Sequence, residues 1–185
     1  MILAVQVGRS WRFISSREDV AGVVESVFDD LAAQREQGFP GEVAELTFAR
    51  QPWHGYDVDT DNHLFISINV ETGFGALTWY VMQNRPRASD IHDVVWVTDN
   101  PQPTDADPRV VADPDAGGFY HPRSAIPLEQ VRAALVEFCA TGTGDRPECV
   151  SWTPGRIDGW RQDEPYRKRA PDDSGANFPD PWASA

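Results

Sequence analysis

Four histidines, His54, His63, His92 and His121, and the alternating acids of Asp57-Val58-Asp59-Thr60-Asp61 are the residues whose types and spacing could carry chemistry in this chain. Acids at every second position begin a calcium loop, because a hard cation collects several oxygen ligands from one short turn. The rest of that loop is missing. Asn62 stands at the sixth position, where glycine permits the sharp turn, and Ile68 at the twelfth, where a carboxylate must ligate. The run therefore reads as a solvated loop ahead of a strand. The histidines form neither His-x-x-x-His nor His-Glu-x-x-His, so zinc hydrolysis has no signal. There is no Gly-x-Ser-x-Gly elbow, phosphate-binding glycine loop or dinucleotide fingerprint. A zinc deaminase needs His-x-Glu and Pro-Cys-x-x-Cys, three metal ligands plus a glutamate that moves protons, and neither motif is present. The chain is expected to be no enzyme and to hold no cofactor. One enzymatic alternative stays open, a small metal-dependent enzyme using Asp and His residues between 53 and 121.

The charge points toward binding. Lys and Arg number 16 against 29 Asp and Glu, a formal net charge of −13. Nucleic-acid phosphates and anionic lipid are gripped by Lys and Arg, so direct binding to either is not expected. The same field speeds encounter with a basic protein. It equally keeps a protein in solution. Two cysteines, Cys139 and Cys149, have neither metal-ligand nor disulfide-framework spacing. No apolar run is long enough to span a membrane, and Met1-Ile2-Leu3-Ala4-Val5 does not read as a signal peptide, so the cytoplasm is the expected compartment. Seven tryptophans exceed the needs of a small core. Trp79 and Trp96 fall on strands and read as core. Trp53, in Gln51-Pro52-Trp53-His54-Gly55-Tyr56, falls in a loop near acids and is the better interface anchor.

The elements that must position these residues follow from periodicity. Residues 1–14 read as a strand or a pair of short strands, with Gly8 marking a bulge or turn. Ser16 caps a helix with Val20, Val23, Val24, Val27, Phe28 and Leu31 on one face, stopped at Gly38-Phe39-Pro40-Gly41. A strand around Glu45–Ala49 leads into a meander. Leu64, Ile66, Ile68 and Val70 alternate with polar positions, Thr72-Gly73-Phe74-Gly75 turns, and Leu77, Trp79 and Val81 return. A strand at Asp93–Val97 follows, then an irregular 99–122 stretch with one short strand at 109–111. A second helix carries Leu128, Val131, Leu135 and Phe138, with Pro127 in its first turn and Gly142 as its stop. Glu148–Trp152 reads as the last strand. The fold class is α+β: an antiparallel sheet of five or six strands with two helices on one face. Residues 1–152 form one domain, and 153–185 an irregular, partly disordered tail.

The stretch Tyr120-His121-Pro122-Arg123-Ser124-Ala125-Ile126-Pro127, the Ala-rich helix ending in Glu137-Phe138, the Thr141-Gly142 turn, and Arg146-Pro147-Glu148-Cys149-Val150-Ser151-Trp152 are more specific than any motif above. They resemble the C-terminal signature of the first-numbered Imm family, immunity proteins of bacterial polymorphic toxin systems. The likeness spans roughly residues 15–152, and Thr143-Gly144-Asp145 is an insertion within it.

What the resemblance implies is a protein encoded beside a toxin, often a deaminase-type domain acting on nucleic-acid bases, which it binds and neutralises. It carries no catalytic residues over. Contact residues are expected to vary between cognate pairs. Given the toxin partner that the resemblance implies, the expected toxin-binding set is Trp53, Tyr56, Asp57, Asp59, Asp61, Asp90, Asp93 and Asp99, an acidic patch covering a basic cleft. A regulatory adaptor for some other basic protein would use the same charge. The chain is expected to be a monomer or a weak dimer.

Overall fold

The structure, a computed structural model, describes residues 1–8, 10–15, 20–35, 41–53, 60, 62–81 and 95–165. Among these, the elements are β1 (Ile2–Val7), β2 (Ser10–Ile14), α1 (Val20–Arg35), β3 (Ala44–Ala49), β4 (Asn62–Asn69), β5 (Phe74–Val81), β6 (Val95–Thr98), β7 (Val111–Asp113), β8 (Gly118–Phe119), β9 (Ile126–Pro127), α2 (Leu128–Thr141) and β10 (Trp152–Pro154). The main sheet has eight antiparallel strands in the order β10-β6-β5-β4-β3-β1-β2, with the short β9 paired to β5. It is wider than the five or six strands expected, because residues 1–14 fold into two paired strands and the two-residue β9 is too short to show a periodic pattern.

Both helices lie on one face of that sheet. The apolar stripe of α1 is buried from Val23 to Leu31, and that of α2 at Val131, Ala134, Leu135, Phe138 and Cys139. These side chains meet Leu3, Val5, Leu46, Leu64, Ile66, Leu77 and Trp79 in one core. Gly75 lets α2 approach this closely. A Cβ there would stand 2.7 Å from the Ser67 carbonyl oxygen and 3.0 Å from Val131 Cγ2. The first free amide of α2 finds an acceptor in the same region, Leu128 N–H donating to Gly73 O at 3.1 Å. The helix ends at Gly142, left-handed at φ 65°, whose N–H donates back to Phe138 O. The Ser16 cap and most of the Gly38–Gly41 stop of α1 lie outside the described residues.

The second face is partly covered, which alternation in β4 does not reveal. Ser67 and Asn69 point away from the helices yet are buried at 1% and 5% exposure. Residues 108–125 pack over them. Val110, Tyr120 and Ala125 form a second cluster on Ala76 and Val97, and Asn69 Nδ2 donates to Pro108 O at 2.8 Å. Within this cover, the regular part is the β7–β8 hairpin, two residues later than the strand expected at 109–111. Val70 lies in the Val70–Gly73 turn and is exposed, while Phe74 and Gly75 already belong to β5.

The last strand is Trp152–Pro154 rather than 148–152. The amides of Glu148 and Cys149 donate to the Glu137 carboxylate of α2, at 2.7 and 3.0 Å, and are not available to a ladder. Burial pushes the Glu137 carboxyl upward, but these donors and the Cys149 thiol outweigh it, and its pKa falls below the usual value. Residues 155–165, expected to be irregular tail, fold back onto the sheet: Gly155 bridges Arg161, and Arg161 is only 2% exposed.

Both thiols are held protonated. Burial alone raises Cys139 to about 12. Loss of solvent at the sulfur, then the hydrogen bond and charge of Glu137, raise Cys149 to about 12. At pH 8, both should alkylate with iodoacetamide at least about ten times more slowly than an ordinary thiol, read by intact-mass spectrometry. Rapid labelling of Cys149, which is exposed as a residue, would contradict the Glu137 contact.

Candidate functional site

The sheet face away from the helices is where the expected interface residues can be placed. Successive strands put Trp11 and Phe13 of β2, Glu45 of β3, His63 and Phe65 of β4, and Tyr80 and Val95 on this one face. The register pairs Phe13 with Ala4, Glu45 with both Gln6 and Phe65, and His63 with Tyr80.

Trp53 packs at one side of it. Its indole stands edge-on to Trp11 and Phe13, with centroids 4.9 and 4.8 Å away, and is 9% exposed. Its Nε1–H is buried with no hydrogen-bond acceptor among the described residues. The side chain expected as an interface anchor in a loop packs into an aromatic knot, and the part-exposed rings of that knot are Trp11 and Phe13. Asp99 lies at the opposite side of the sheet. Its carboxylate accepts from Arg161 Nη1 at 2.7 Å, and its amide donates to Ser151 O, so it ties the C-terminal segment down. Tyr56, Asp57, Asp59, Asp61, Asp90 and Asp93 lie outside the described residues. The two connections carrying them leave from Asn62 and Val81, which are cross-strand partners at one end of the sheet.

Between these anchors is a group that the spacing of histidines did not reveal. His63 Nδ1 lies 2.5 Å from Glu45 Oε1, and its Nε2 lies 3.2 Å from Thr60 Oγ1. Phe65 and Tyr80 stack along the imidazole, with centroids 6.1 and 5.8 Å away. Both ring nitrogens being engaged, the imidazole is fixed in orientation. Alternation within β3 and β4 could have placed Glu45, His63 and Phe65 on their respective faces. The β3–β4 register that brings them together could not be read locally. Beyond Tyr80 the face runs into an open hollow of about 540 Å³ lined by Val95, Arg156, Ile157 and Asp158.

The remaining described histidine, His121, has other work. Its Nδ1 accepts from Arg123 N–H at 3.2 Å, and its ring meets Trp160 edge-on at 5.2 Å. Among the described residues, no three His, Cys, Asp or Glu side chains are grouped so as to hold a metal ion, and no helix is long and apolar enough to cross a membrane. What the helix-free face offers chemically is recognition: aromatic rings around a carboxylate held beside an imidazole.

No curated protein and no solved structure matches the chain. The family model described as immunity protein Imm1 does, over residues 9–154, which takes in both helices and every strand except β1. The matched span thus covers both the signature helix α2 and the aromatic face, and the chain belongs to the Imm1 family of immunity proteins.

Proposed function

We propose that this protein binds a cognate toxin in the cell that makes both, and neutralises it by covering the toxin's active site or substrate cleft. Membership of the Imm1 family over residues 9–154 is the observation that carries this reading. The toxin domain is of the nucleic-acid deaminase type. Such a domain works on a polyanion and needs a basic cleft, which a protein of net charge −13 complements. The interaction takes place in the cytoplasm, uses no cofactor and involves no chemistry by the immunity protein itself. Trp53, Tyr56, Asp57, Asp59, Asp61, Asp90 and Asp93 belong to the blocking region, and Asp99 adds its charge while anchoring Arg161.

The test is co-expression with the C-terminal domain of the protein encoded beside it, followed by pull-down and a growth assay. Capture of that domain together with rescue of growth is the expected outcome; growth arrest with no complex would refute the reading. Lysine at Asp57, Asp59 and Asp61 together should slow association about tenfold or more at low salt, with a smaller effect on dissociation. Stopped-flow association rates that are the same at 20 and 500 mM salt would remove these acids from the encounter surface.

A further inference from the structure

The helix-free face has one quadrant that no described element covers, and its composition says what it meets. On the other face, α1 and α2 seal the sheet from β1 to β5. On this face, residues 108–125 seal the end of β4 and β5 at Ser67, Asn69, Ala76 and Thr78. At the opposite end of β4 and β5, and on β3 and β2 alongside, His63, Phe65, Tyr80, Glu45, Trp11 and Phe13 are each left part-exposed. Resting on the toxin-binding reading above, we propose that this quadrant is the docking surface for the toxin, and that the group it receives at its centre is a basic side chain of the toxin's substrate cleft.

Three observations commit the face to that occupant. First, four aromatic rings gathered on one rigid sheet have the composition of an interface centre rather than of average surface. They are presented by paired strands, so little ordering entropy remains to be lost on binding. Secondly, the polar group among them is a carboxylate. Glu45 is paired with an imidazole and, among the described residues, with no arginine or lysine. A guanidinium lying over the Phe65 or Tyr80 ring would meet that carboxylate, which joins a cation–π contact to a charge-assisted hydrogen bond. Thirdly, the quadrant lies at the sheet end where Asn62 and Val81 pair, from which the two Asp-bearing connections depart. Ile157, 58% exposed beside the Tyr80 hollow, extends the apolar surface toward β10.

The experiment uses the full chain and a catalytically inactivated form of the neighbouring toxin domain, with affinity and rates measured by biolayer interferometry. Glu45→Arg, and Phe65→Ala with Tyr80→Ala, should each weaken binding by about 30-fold or more, the aromatic pair acting mainly on dissociation. Val136→Arg, on the outward side of α2, should change affinity less than about threefold. Hydroxyl-radical footprinting of the unsubstituted complex supplies a readout that does not depend on any variant folding, with Trp11, Phe65 and Tyr80 protected. If the unsubstituted chain fails to bind the toxin domain, the toxin-binding reading itself fails. If it binds while footprint and affinity loss map to α1 and α2, only the docking assignment is overturned. Protection of the same rings in the chain alone, rising with its concentration, would assign the face to a second copy and equally overturn it.

Discussion

Phe138→Ala is expected to remove about 3–5 kcal/mol of unfolding free energy, the range for deleting a fully buried ring. Phe138 is 0% exposed and lies where α2 meets the sheet, its ring 5.3 Å from that of Phe48 on β3. It belongs to the core shared by both helices and five strands, so the space it leaves is walled on every side and collapses poorly. Against a typical total of about 5–15 kcal/mol, this is the single change most able to unfold the domain. With a urea m-value of about 2 kcal/mol/M, the midpoint should fall by about 1.5–2.5 M at unchanged m. Val136→Ala, two residues away and 43% exposed, should stay within about 0.5 kcal/mol. A Phe138 variant as stable as the Val136 variant would mean that α2 does not pack through the face assigned to it.

Arg161→Ala is the second large effect, and its cause is polar. The guanidinium is buried beside β6, donating to Asp99 Oδ1 at 2.7 Å and to both oxygens of Asp163 at 2.7 and 2.8 Å. Burial acts to lower the arginine's pKa, but the bonds and charges of Asp163 and Asp99 outweigh it and raise it. Arg123 closes the arrangement, its Nη1 donating to Glu164 at 2.7 Å. The carboxylates remain partly solvated, so removing Arg161 does not strand two buried anions, and the full penalty of a broken interior pair does not apply. Lost hydrogen bonds to charged groups and lost packing together set the cost at about 2–3 kcal/mol. For a domain of this size the melting temperature should drop by about 5–10 °C.

The same loss should appear locally. The amides of Gly155, Arg156 and Gln162, bonded to Val95 O, Trp160 O and Pro154 O, should lose hydrogen-exchange protection before the β4–β5 amides do. Acid probes the network a second way. The bonds from Arg161 hold Asp163 below its usual 3.8. A depressed carboxylate contributes stability that is present above the unfolded pKa and lost as pH falls through the folded one. Acid should therefore remove this part of the segment's stability in the unsubstituted protein as pH falls below 3.8, narrowing its lead in protection over Arg161→Ala, which has no such bonds to lose. A lead in protection that does not shrink as the solution is acidified below pH 3.8 would rule this out.

The helices and the central hairpin were legible because one local period set each of them. The valines of α1, the Val131-to-Phe138 stripe of α2 with Gly142 as its stop, and the Leu64/Ile66 alternation all ended facing the core. The family signature was equally local, a run of turn-forming prolines, a helix and a strand-closing tryptophan within about thirty residues.

Other features rested on pairings between distant segments, which no window of sequence contains. Ser67 and Asn69 looked solvent-facing until residues 108–125 folded across them. Glu148 and Cys149 looked like strand until Glu137 of α2 took their amides. Arg161, in a stretch of Pro, Gly and Asp without periodicity, was legible only as a surface charge. It became an interior one because Asp99, 62 residues away, stands beside it.

The candidate site divides along the same line. That the chain holds surplus tryptophan, excess acid and no catalytic motif was a property of composition, available without any fold. That Trp53 props up Trp11 and Phe13 was decided by how β2 and β3 flank β1. That Glu45 meets His63 between two rings was decided by the register of β3 on β4 and β4 on β5. A strand's alternation says which side chains share a face, but the partner strand's offset decides which of them touch.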